Sequence, residues 1–327
     1  MKVWMDTPRS NKQILLEDAD FSPSKQQAEA TSSRLNIAYD SEDELMYRFQ
    51  IFSNNLKRIE RAQTANENTL FGVNHFTLMS DDERRAFVMP HTDLLSFFPE
   101  SENIEEPTTP LAPRPASVDW RTKHVVTRVK DQGKCDSSWA FALTGTIESV
   151  RAIHGHPLED RSEQELIDCL SKHGCVDKFP DLTIEYLKNE GVTLEKLYPY
   201  TGKQQTCRKI KDERVKVPNW ATFVRNESKV ADWVAAKGPV LTAAIVTHEM
   251  YAYKSGVFNP SKTDCEKHHV GVHAFEIVGY GTENKDDYWL LKNNWGTKFG
   301  DHGYIKMKRG VNSCGIVSGA LAPILHK

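Results

Sequence analysis

The six cysteines of this chain limit how it can fold more than any other feature of the sequence. They all lie in the C-terminal two thirds of the 327 residues, at Cys135, Cys169, Cys175, Cys207, Cys265 and Cys314. An even number confined to one region indicates three disulfides, which persist in secretory or lysosomal compartments. The alternatives are six buried thiols or a zinc site, and the absence of a close Cys-x-x-Cys pair argues against zinc.

The N-terminus and the charge balance say less about the compartment. Residues 1–24 lack the apolar core of ~7–15 residues that a signal peptide has, so the chain is cytosolic or a leader is missing from this form. The cysteines favour the second alternative, and we expect a secreted or lysosomal protein. A net charge of −3, a pI near 6.5 and the lack of an apolar run of ~18–20 residues indicate neither a nucleic-acid partner nor a membrane span.

Composition and periodicity divide the chain into four parts. Residues 1–40 are polar and rich in Ser, Lys and Asp, which is typical of a tail. Residues 41–89 have helical patterns, and residues 90–114 contain many Pro, Glu and Thr, which predict an extended segment and a linker. The last part, residues 115–327, is long enough to bury a large core of its own.

This last part changes character near its middle. Helical patterns dominate in about 124–223, whereas about 224–327 contains β-rich runs separated by Gly, Asn and Asp. The order predicts an α+β fold of two packed lobes, one helical and one β-barrel-like, with a cleft between them.

A stripe of mixed polarity marks the helix predicted within residues 41–89. Its members are spaced four, four, three and four residues apart and therefore share one helix face: Glu44, Arg48, Phe52, Asn55 and Ile59. A plain amphipathic helix would carry only apolar residues there, so this face should contact a specific polar partner. The stretch Phe71–Phe76 then predicts a short extended piece, and Ser80 with Glu83 predicts a capping box that opens another helix.

Four stretches of the larger part together resemble the papain-like cysteine peptidases. "VDWRTKHVVTRVKDQGKCDSSWAF" is similar to the start of the mature enzyme, and "RSEQELIDC" to the stretch around its next disulfide cysteine. "GVHAFEIVGYG" resembles the block with the catalytic histidine, and "YWLLKNNWGTKFGDHGYIKMKRGVNSCGI" the block with the asparagine, the cleft tryptophan and the last cysteine. The separations of Ser138 from His273 and Asn293 are near those expected for the family. The resemblance implies the papain-like two-lobe fold over residues 115–327.

The resemblance extends upstream to the propeptide. The mixed stripe matches the ERFNIN pattern of cathepsin L-like propeptides, with Gln63 in place of the final Asn. "GVNHFTL" matches the GxNxFxD element at Gly72, Asn74 and Phe76, with Leu78 in place of the Asp. This implies that residues 41–110 form an inhibitory propeptide: a small helical domain, followed by a strand that runs through the cleft against the substrate direction.

The resemblance also implies roles for the cleft residues. Gln132 would bind the oxyanion, His273 would be the base, and Asn293 would orient that base. The implied cleft residues are Trp139, Asp177, Lys178, Val272 and Trp295. At the position of the nucleophile, however, the sequence has Ser138. The family relies on a thiolate stabilised by a helix N-terminus and an imidazolium, and a serine hydroxyl cannot form such an ion pair.

Cys135 does not replace the missing nucleophile. The resemblance implies the disulfides Cys135–Cys175, Cys169–Cys207 and Cys265–Cys314, which leave no thiol over. Asp136 replaces a glycine beside the nucleophile position, and Asp177 and Lys178 stand where the family has glycines whose backbone pairs with substrate. We therefore expect an inactive homologue. It would be a monomer without cofactor or metal, and its ligands would be peptides or proteins in the cleft and its own propeptide.

Other interpretations remain open. A neutral His273 could deprotonate Ser138 and give a weak serine hydrolase, but Asn293 is no carboxylate, a difference worth about 10⁴ in serine proteases. A structural, secreted interaction protein that keeps its prosegment is a third interpretation. His269 and His273 have a helical metal-ligand spacing but lie in a predicted strand, which argues against a metal site. The triplet beginning at Asn226 fits a glycosylation acceptor.

Overall fold

A computed structural model describes residues 24–34, 38–90, 93–94, 98, 104–105, 114–171, 174–175 and 182–325. Most of the predicted tail and linker, and the predicted cleft residues Asp177 and Lys178, lie outside these ranges. Within them, the expected α+β fold of two lobes with a small helical N-terminal domain is confirmed. None of the helices in these ranges is long and apolar enough to cross a membrane.

Within residues 115–327, three helices precede most of the strands, while two more helices lie among the strands. In chain order, the described α-helices α1 to α8 are Lys25–Arg34, Glu42–Ala65, Asp81–Arg85, Ser138–Ile153, Glu163–Leu170, Thr183–Asn189, Glu227–Ala236 and Lys262–Lys267. The described strands β1 to β10 are Thr69–Phe71, Ile104–Glu105, Val118–Asp119, Asn219–Val224, Val240–Thr247, Tyr253–Phe258, His269–Glu283, Asp286–Lys292, Tyr304–Lys308 and Gly319–Ile324.

The strand β7 forms the centre of the sheet. The strands are ordered β1-β6-β9-β8-β7-β5-β10-β4-β2, and β3 also pairs with β7. β7 is antiparallel to both β5 and β8, and its residues from Gly271 to Gly281 are buried. A strand covered on both faces carries a continuous apolar run, so the polar His273 in its middle is unusual.

The helix α4 is surrounded by protein on all sides. Every residue from Ser138 to Val150 is buried, and most of them are apolar or small, as is typical of a core helix. α4 packs against β7 across the boundary between the lobes. The two elements that carry Ser138 and His273 are therefore held together by the core itself.

A cluster of buried charges lies between α4 and the strands β7 and β8. It contains three carboxylates and two ammonium groups: Glu148, Glu163, Glu276, Lys130 and Lys292. Lys130 Nζ lies 2.7 Å from Glu163 and 3.1 Å from Glu148, and Lys292 Nζ lies 3.4 Å from Glu276. Burial raises the pKa of Glu276 and raises that of Glu163 to about 7. The cluster therefore has three carboxyl groups for two ammonium groups, so one carboxyl group has no cation to balance its charge.

Glu276 has room in this cluster only because the facing residue of α4 is a glycine. A Cβ at Gly145 would lie 2.6 Å from Glu276 Oε2 and 3.4 Å from Lys292 Nζ. The other carboxyl oxygen of Glu276 accepts a hydrogen bond from Ser149 Oγ at 2.8 Å. Gly145 and Ser149 together form the pocket for the third carboxylate.

The mixed stripe on α2 is explained by the chain that packs against it. Phe52 and Ile59 are buried in the apolar core. Asn55 is also buried, and its Nδ2 donates to the carbonyl oxygens of Thr77 at 2.9 Å and Met79 at 3.1 Å. Asn55 hence binds backbone carbonyl groups that would otherwise lack partners.

Arg48 joins α2 to the helix that follows. Its guanidinium lies 2.6 Å from Glu44 on the same helix and 2.6 Å from Glu83 on α3. Glu83 also accepts the N–H of Ser80 at 2.8 Å, while Ser80 Oγ accepts the N–H of Glu83 at 3.2 Å. The predicted capping box is therefore present, and Arg48 extends it.

The extended piece predicted over Phe71–Phe76 is correct only at its start. β1 ends at Phe71, and a 3-10 helix spans His75–Leu78. Asn74 causes the change, because its Oδ1 accepts the N–H of Phe76 at 2.9 Å and so begins the turn. β1 pairs with β6, which attaches the N-terminal domain to the edge of the main sheet.

Candidate active site

The start of α4 faces the middle of β7, and the space between them is the cleft. Ser138 is the first residue of α4 and is fully buried. Its Oγ accepts a hydrogen bond from the backbone N–H of Ala274 at 3.1 Å. Within the described residues, no hydrogen bond joins this hydroxyl to the neighbouring His273. The hydroxyl is therefore close to the imidazole but engaged elsewhere.

His273 is held in place by Asn293. Its Nε2 lies 2.8 Å from Asn293 Oδ1, which also accepts the N–H of Asn294 at 2.8 Å. Since Oδ1 can only accept, a proton in this contact would belong to the histidine. Burial lowers the pKa of His273 to about 3, against the opposing effect of its hydrogen bonds to Asn293 and the Phe87 carbonyl. At neutral pH the imidazole is thus uncharged, and its single N–H can donate to the Asn293 oxygen or to the Phe87 carbonyl oxygen, but not to both.

A stretch of the N-terminal domain, the cleft segment of residues 84–90, occupies the space beside these groups. The carbonyl oxygen of Phe87 lies 3.3 Å from Nε2 of Gln132 and 3.2 Å from Nδ1 of His273. Gln132 Nε2 also donates to the carbonyl of Cys135 at 2.8 Å. A carbonyl of the chain itself therefore stands between the predicted oxyanion donor and the predicted base.

The cleft segment continues as a strand along β7. Met89 and Val272 exchange two backbone hydrogen bonds of 2.8 Å each. This close approach requires a glycine at position 271, directly before Val272, because a Cβ there would lie 2.3 Å from the Met89 carbonyl oxygen. Val272 thus binds the segment through its backbone, and its role in binding a substrate stays a prediction.

Aromatic contacts anchor the same segment from the other side. The ring of Phe76 packs 5.2 Å from Trp295 and 4.8 Å from Tyr251, and these two rings stack at 5.1 Å. Trp295 also lies over the imidazole of His273, with ring centroids 4.5 Å apart. Arg84 donates twice to the Phe76 carbonyl, at 2.6 and 3.0 Å, and so links the 3-10 helix to the cleft segment.

Every cysteine of the chain is crosslinked. The disulfides are Cys135–Cys175, Cys169–Cys207 and Cys265–Cys314, the pairs that the family resemblance implies. Trp139, the residue after Ser138, is fully buried and belongs to the core behind the cleft. The site therefore has a hydroxyl, an imidazole and two amides, and the cysteine sulfur that precedes it in the loop, that of Cys135, is in a disulfide.

Asp136 is the buried carboxylic acid of the loop before α4. It is 2% exposed, and neither carboxyl oxygen has a hydrogen-bond partner among the described residues. Burial raises the pKa of Asp136 well above its usual range. The other two departures noted in the sequence, Asp177 and Lys178, lie outside the described residues, so their effect on the cleft stays a prediction.

The sequence reasoning did not find Phe87, Ala274 and Tyr251. Phe87 and Ala274 act through backbone groups, which leave no mark in side-chain patterns. Tyr251 could have been noticed as an aromatic residue in a stretch without clear β alternation, but nothing in its neighbourhood pointed to the cleft. For the same reason the pairing of Met89 with Val272 required the fold.

Two further sequence features have local explanations. His269 and His273 lie on β7, and the described ranges contain no group of three or more His, Cys, Asp or Glu side chains placed to hold a metal ion. Asn226 is the N-cap of α7, where its Oδ1 accepts the N–H of Lys229 at 3.0 Å. Glycosylation at Asn226 stays a prediction.

Comparison with known proteins agrees with this geometry. Residues 114–324 match the papain family cysteine proteases, and residues 32–83 match the cathepsin propeptide inhibitor domain (I29). The chain is 37% identical to mouse (Mus musculus) pro-cathepsin H, over 86% of this chain and 85% of that protein, and 36% identical to pro-cathepsin H of Medicago truncatula, over 90% and 84%. Among solved structures, procathepsin L 3 of the Tenebrio molitor larval midgut superposes with a TM-score of 0.79 at 31% identity, covering 94% of this chain and all of that one. The recombinant stem bromelain precursor gives a TM-score of 0.79 at 33% identity, covering 92% and 99%.

Proposed function

The chain belongs to the papain family of cysteine proteases and has the form of a proenzyme with a cathepsin propeptide inhibitor domain; we propose that its cleft binds peptides or protein ligands without hydrolysing them. The observation that carries this proposal is the hydroxyl of Ser138 at the attacking position, while all six cysteine sulfurs are crosslinked. In this proposal Gln132, His273 and Asn293 keep their places but have no thiol to activate.

The position of the Ser138 hydroxyl supports inactivity. A serine must give up its proton to a neutral base within hydrogen-bond reach as it attacks. Here Oγ instead accepts the N–H of Ala274 at 3.1 Å. The partner of His273 is the amide of Asn293 rather than a carboxylate, and loss of that carboxylate costs about 10⁴ in rate in serine proteases.

The surroundings of the site also disfavour catalysis. The loop that leads into Ser138 carries the buried carboxyl of Asp136. If this group ionised beside the oxyanion site, it would repel the negative charge that develops in the transition state. Asp177 and Lys178 further support the proposal if their side chains occupy the substrate strand's place, as the sequence predicts.

A direct comparison of three variants tests inactivity. The processed chain is assayed against a broad peptide mixture by mass spectrometry as wild type, Ser138→Ala and Ser138→Cys. We expect no difference between the first two. Activity in Ser138→Cys would indicate that only the nucleophile was lost, and no activity would indicate that the subsites have changed as well. Turnover by the wild type that Ser138→Ala abolishes would contradict the proposal.

A second candidate is a serine hydrolase on the same scaffold. The observation in its favour is that burial keeps His273 neutral, which is the state a serine would need. A fluorophosphonate probe separates the two candidates, since a working Ser138 nucleophile would be labelled in the wild type and unlabelled in Ser138→Ala. Absence of labelling at high probe concentration would remove this candidate.

The location and final form of the protein belong to the same proposal. Three disulfides favour a secreted or lysosomal compartment. We place the propeptide domain at 41–89, the extended prosegment at 90–114 and the peptidase-like domain at 115–327, as a monomer. Intact-mass measurement of native material tests whether the prosegment is removed. Its retention would favour a structural protein in which the cleft is never open.

A further inference from the structure

The loop of Asp136 forms the wall of the cleft where the cleft segment crosses it. The Asp136 N–H donates to the carbonyl of Cys175 at 2.9 Å. Cys175 is also the disulfide partner of Cys135, so two bonds hold this loop to the residue at position 175. The preceding carbonyl, that of Cys135, accepts from Gln132 Nε2. The same Nε2 binds the Phe87 carbonyl of the cleft segment. A single amide group thus connects the Asp136 loop to the backbone that fills the cleft.

The opposite wall fixes the path of any chain that replaces this segment. Met89 pairs with Val272 on β7, two residues after the Phe87 carbonyl. A chain bound in the cleft therefore runs between β7 on one side and the Asp136 loop on the other. Asp136 is two residues before Ser138, so the loop that carries its carboxyl group lies next to the attacking position.

The Asp136 carboxyl is buried without the partners that buried carboxyls normally have. It is 2% exposed, neither oxygen has a hydrogen bond, and no ion pair includes it among the described residues. The Asp136 carboxyl lies close enough to Tyr251 to affect its ionisation. Burial raises the pKa of Tyr251, and the negative charge of Asp136 raises it further. Buried polar groups without partners are rare in folded proteins, and each calls for an explanation.

We propose that Asp136 is a specificity-determining residue, which binds a lysine or arginine side chain of a peptide ligand once the cleft segment has left. An ionised carboxylate only accepts hydrogen bonds, and its strongest partners are ammonium and guanidinium groups. Among the described residues no such group lies against it, so the carboxyl has no partner there in the proenzyme and gains one with a cationic ligand. This inference rests on the proposed function, because it names the class of peptide that the cleft binds.

A competition experiment tests the inference on the assembled chain. A protease site is introduced within residues 106–113, and the folded chain is cut there so that the labelled N-terminal fragment stays bound to the rest. Acetylated tetrapeptide amides, with arginine at each position in turn, compete for the cleft, and fluorescence polarisation follows release of the fragment. Matched peptides contain citrulline, which keeps the shape of arginine without its charge.

We expect the arginine peptide of one position to displace the fragment at a concentration roughly tenfold lower than its citrulline counterpart, the size of one charge-assisted hydrogen bond. In Asp136→Asn and in Asp136→Gly this ratio should fall to about one. Asp131→Asn is the matched control, because Asp131 is an exposed carboxylate of the same loop, and its ratio should stay unchanged. Each ratio compares two peptides on one complex, so a change in fragment affinity does not affect it.

Each other outcome identifies what has failed. Equal displacement by arginine and citrulline peptides overturns the role of Asp136 and leaves peptide binding standing. A ratio that falls as much in Asp131→Asn as in the Asp136 variants also overturns that role, because the effect is then general charge attraction. Failure of every peptide to displace the fragment overturns both peptide binding and this inference. Peptide cleavage, followed by mass spectrometry, overturns the inactive function alone.

Discussion

The variant Glu276→Gln should stabilise the chain above neutral pH, because it removes the surplus carboxyl of the buried charge cluster. In that cluster three carboxylates share two ammonium groups. The pKa of Glu163 is raised from 4.5 to about 7, and that of Glu276 is raised as well, in both cases chiefly by burial. A glutamine keeps the shape and the hydrogen bond from Ser149 without the charge.

The sign and the size follow from proton binding. Below about pH 4.5 the folded and the unfolded chain both hold these protons, so burial of the neutral acids has no electrostatic cost. As pH rises from 4.5 to about 7, the unfolded chain loses the protons first, and the folded state becomes relatively less stable. For Glu163 the difference of 2.5 pH units corresponds to about 3 kcal/mol, which is reached near pH 7 and stays constant above it, and the pKa of Glu276 is raised in the same direction.

The assay is urea unfolding of the disulfide-bonded chain at several pH values from 4 to 8. Glu276→Gln should raise the unfolding free energy at pH 8 and change it little at pH 4, because the pKa of Glu276 is raised in the folded chain. The control is Glu283→Gln, which removes a part-exposed carboxylate paired with Lys306 and should change stability by less than about 1 kcal/mol. If Glu276→Gln destabilised the chain equally at all pH values, Glu276 would be an ionised partner that Lys292 requires, and the reasoning would be wrong.

Three further predictions concern the cleft, and two of them are measured as release of the N-terminal fragment from the cut chain. Phe76→Ala removes a fully buried ring from the Trp295 surface and should weaken fragment binding by about 3–5 kcal/mol; unchanged binding would mean that the ring contributes little. Gly271→Ala places a Cβ 2.3 Å from the Met89 carbonyl and should also release the fragment, whereas tight binding would show that the strand can shift. Asp136→Asn should raise the melting temperature at pH 7 but not at pH 3, since a carboxyl whose pKa is raised destabilises only above its unfolded pKa; an equal rise at both would refute this.

The sequence predicted those parts of the site that depend on residue type and spacing. The positions of Ser138, His273 and Asn293 followed from motifs, and the fold brings these residues to the two sides of one cleft. The stripe on α2 was recognised as a polar contact surface, but its partner was not, because Asn55 binds carbonyl groups that any sequence would supply. The Phe87 carbonyl between Gln132 and His273 was hidden for the same reason.

Other features depend on residues far apart in the chain. Glu276 is tolerated because residue 145 on a different element lacks a side chain, and neither residue alone indicates this. The 3-10 helix at His75–Leu78 replaced part of a predicted strand because a single asparagine side chain completed a turn. The propensity of a residue for helix or strand does not predict such contacts, because they form only once the elements have packed.

The short pairing of β1 with β6 has a consequence for any molecule that loses its first hundred residues. Thr69, Leu70 and Phe71 are hydrogen-bonded along the outer side of β6 and end the sheet there. Proteolytic maturation would uncover that row of amide and carbonyl groups, and a bare sheet edge is a template for strand addition. The matured chain should then be able to bind another extended polypeptide along β6, in the place that β1 occupies in the proenzyme.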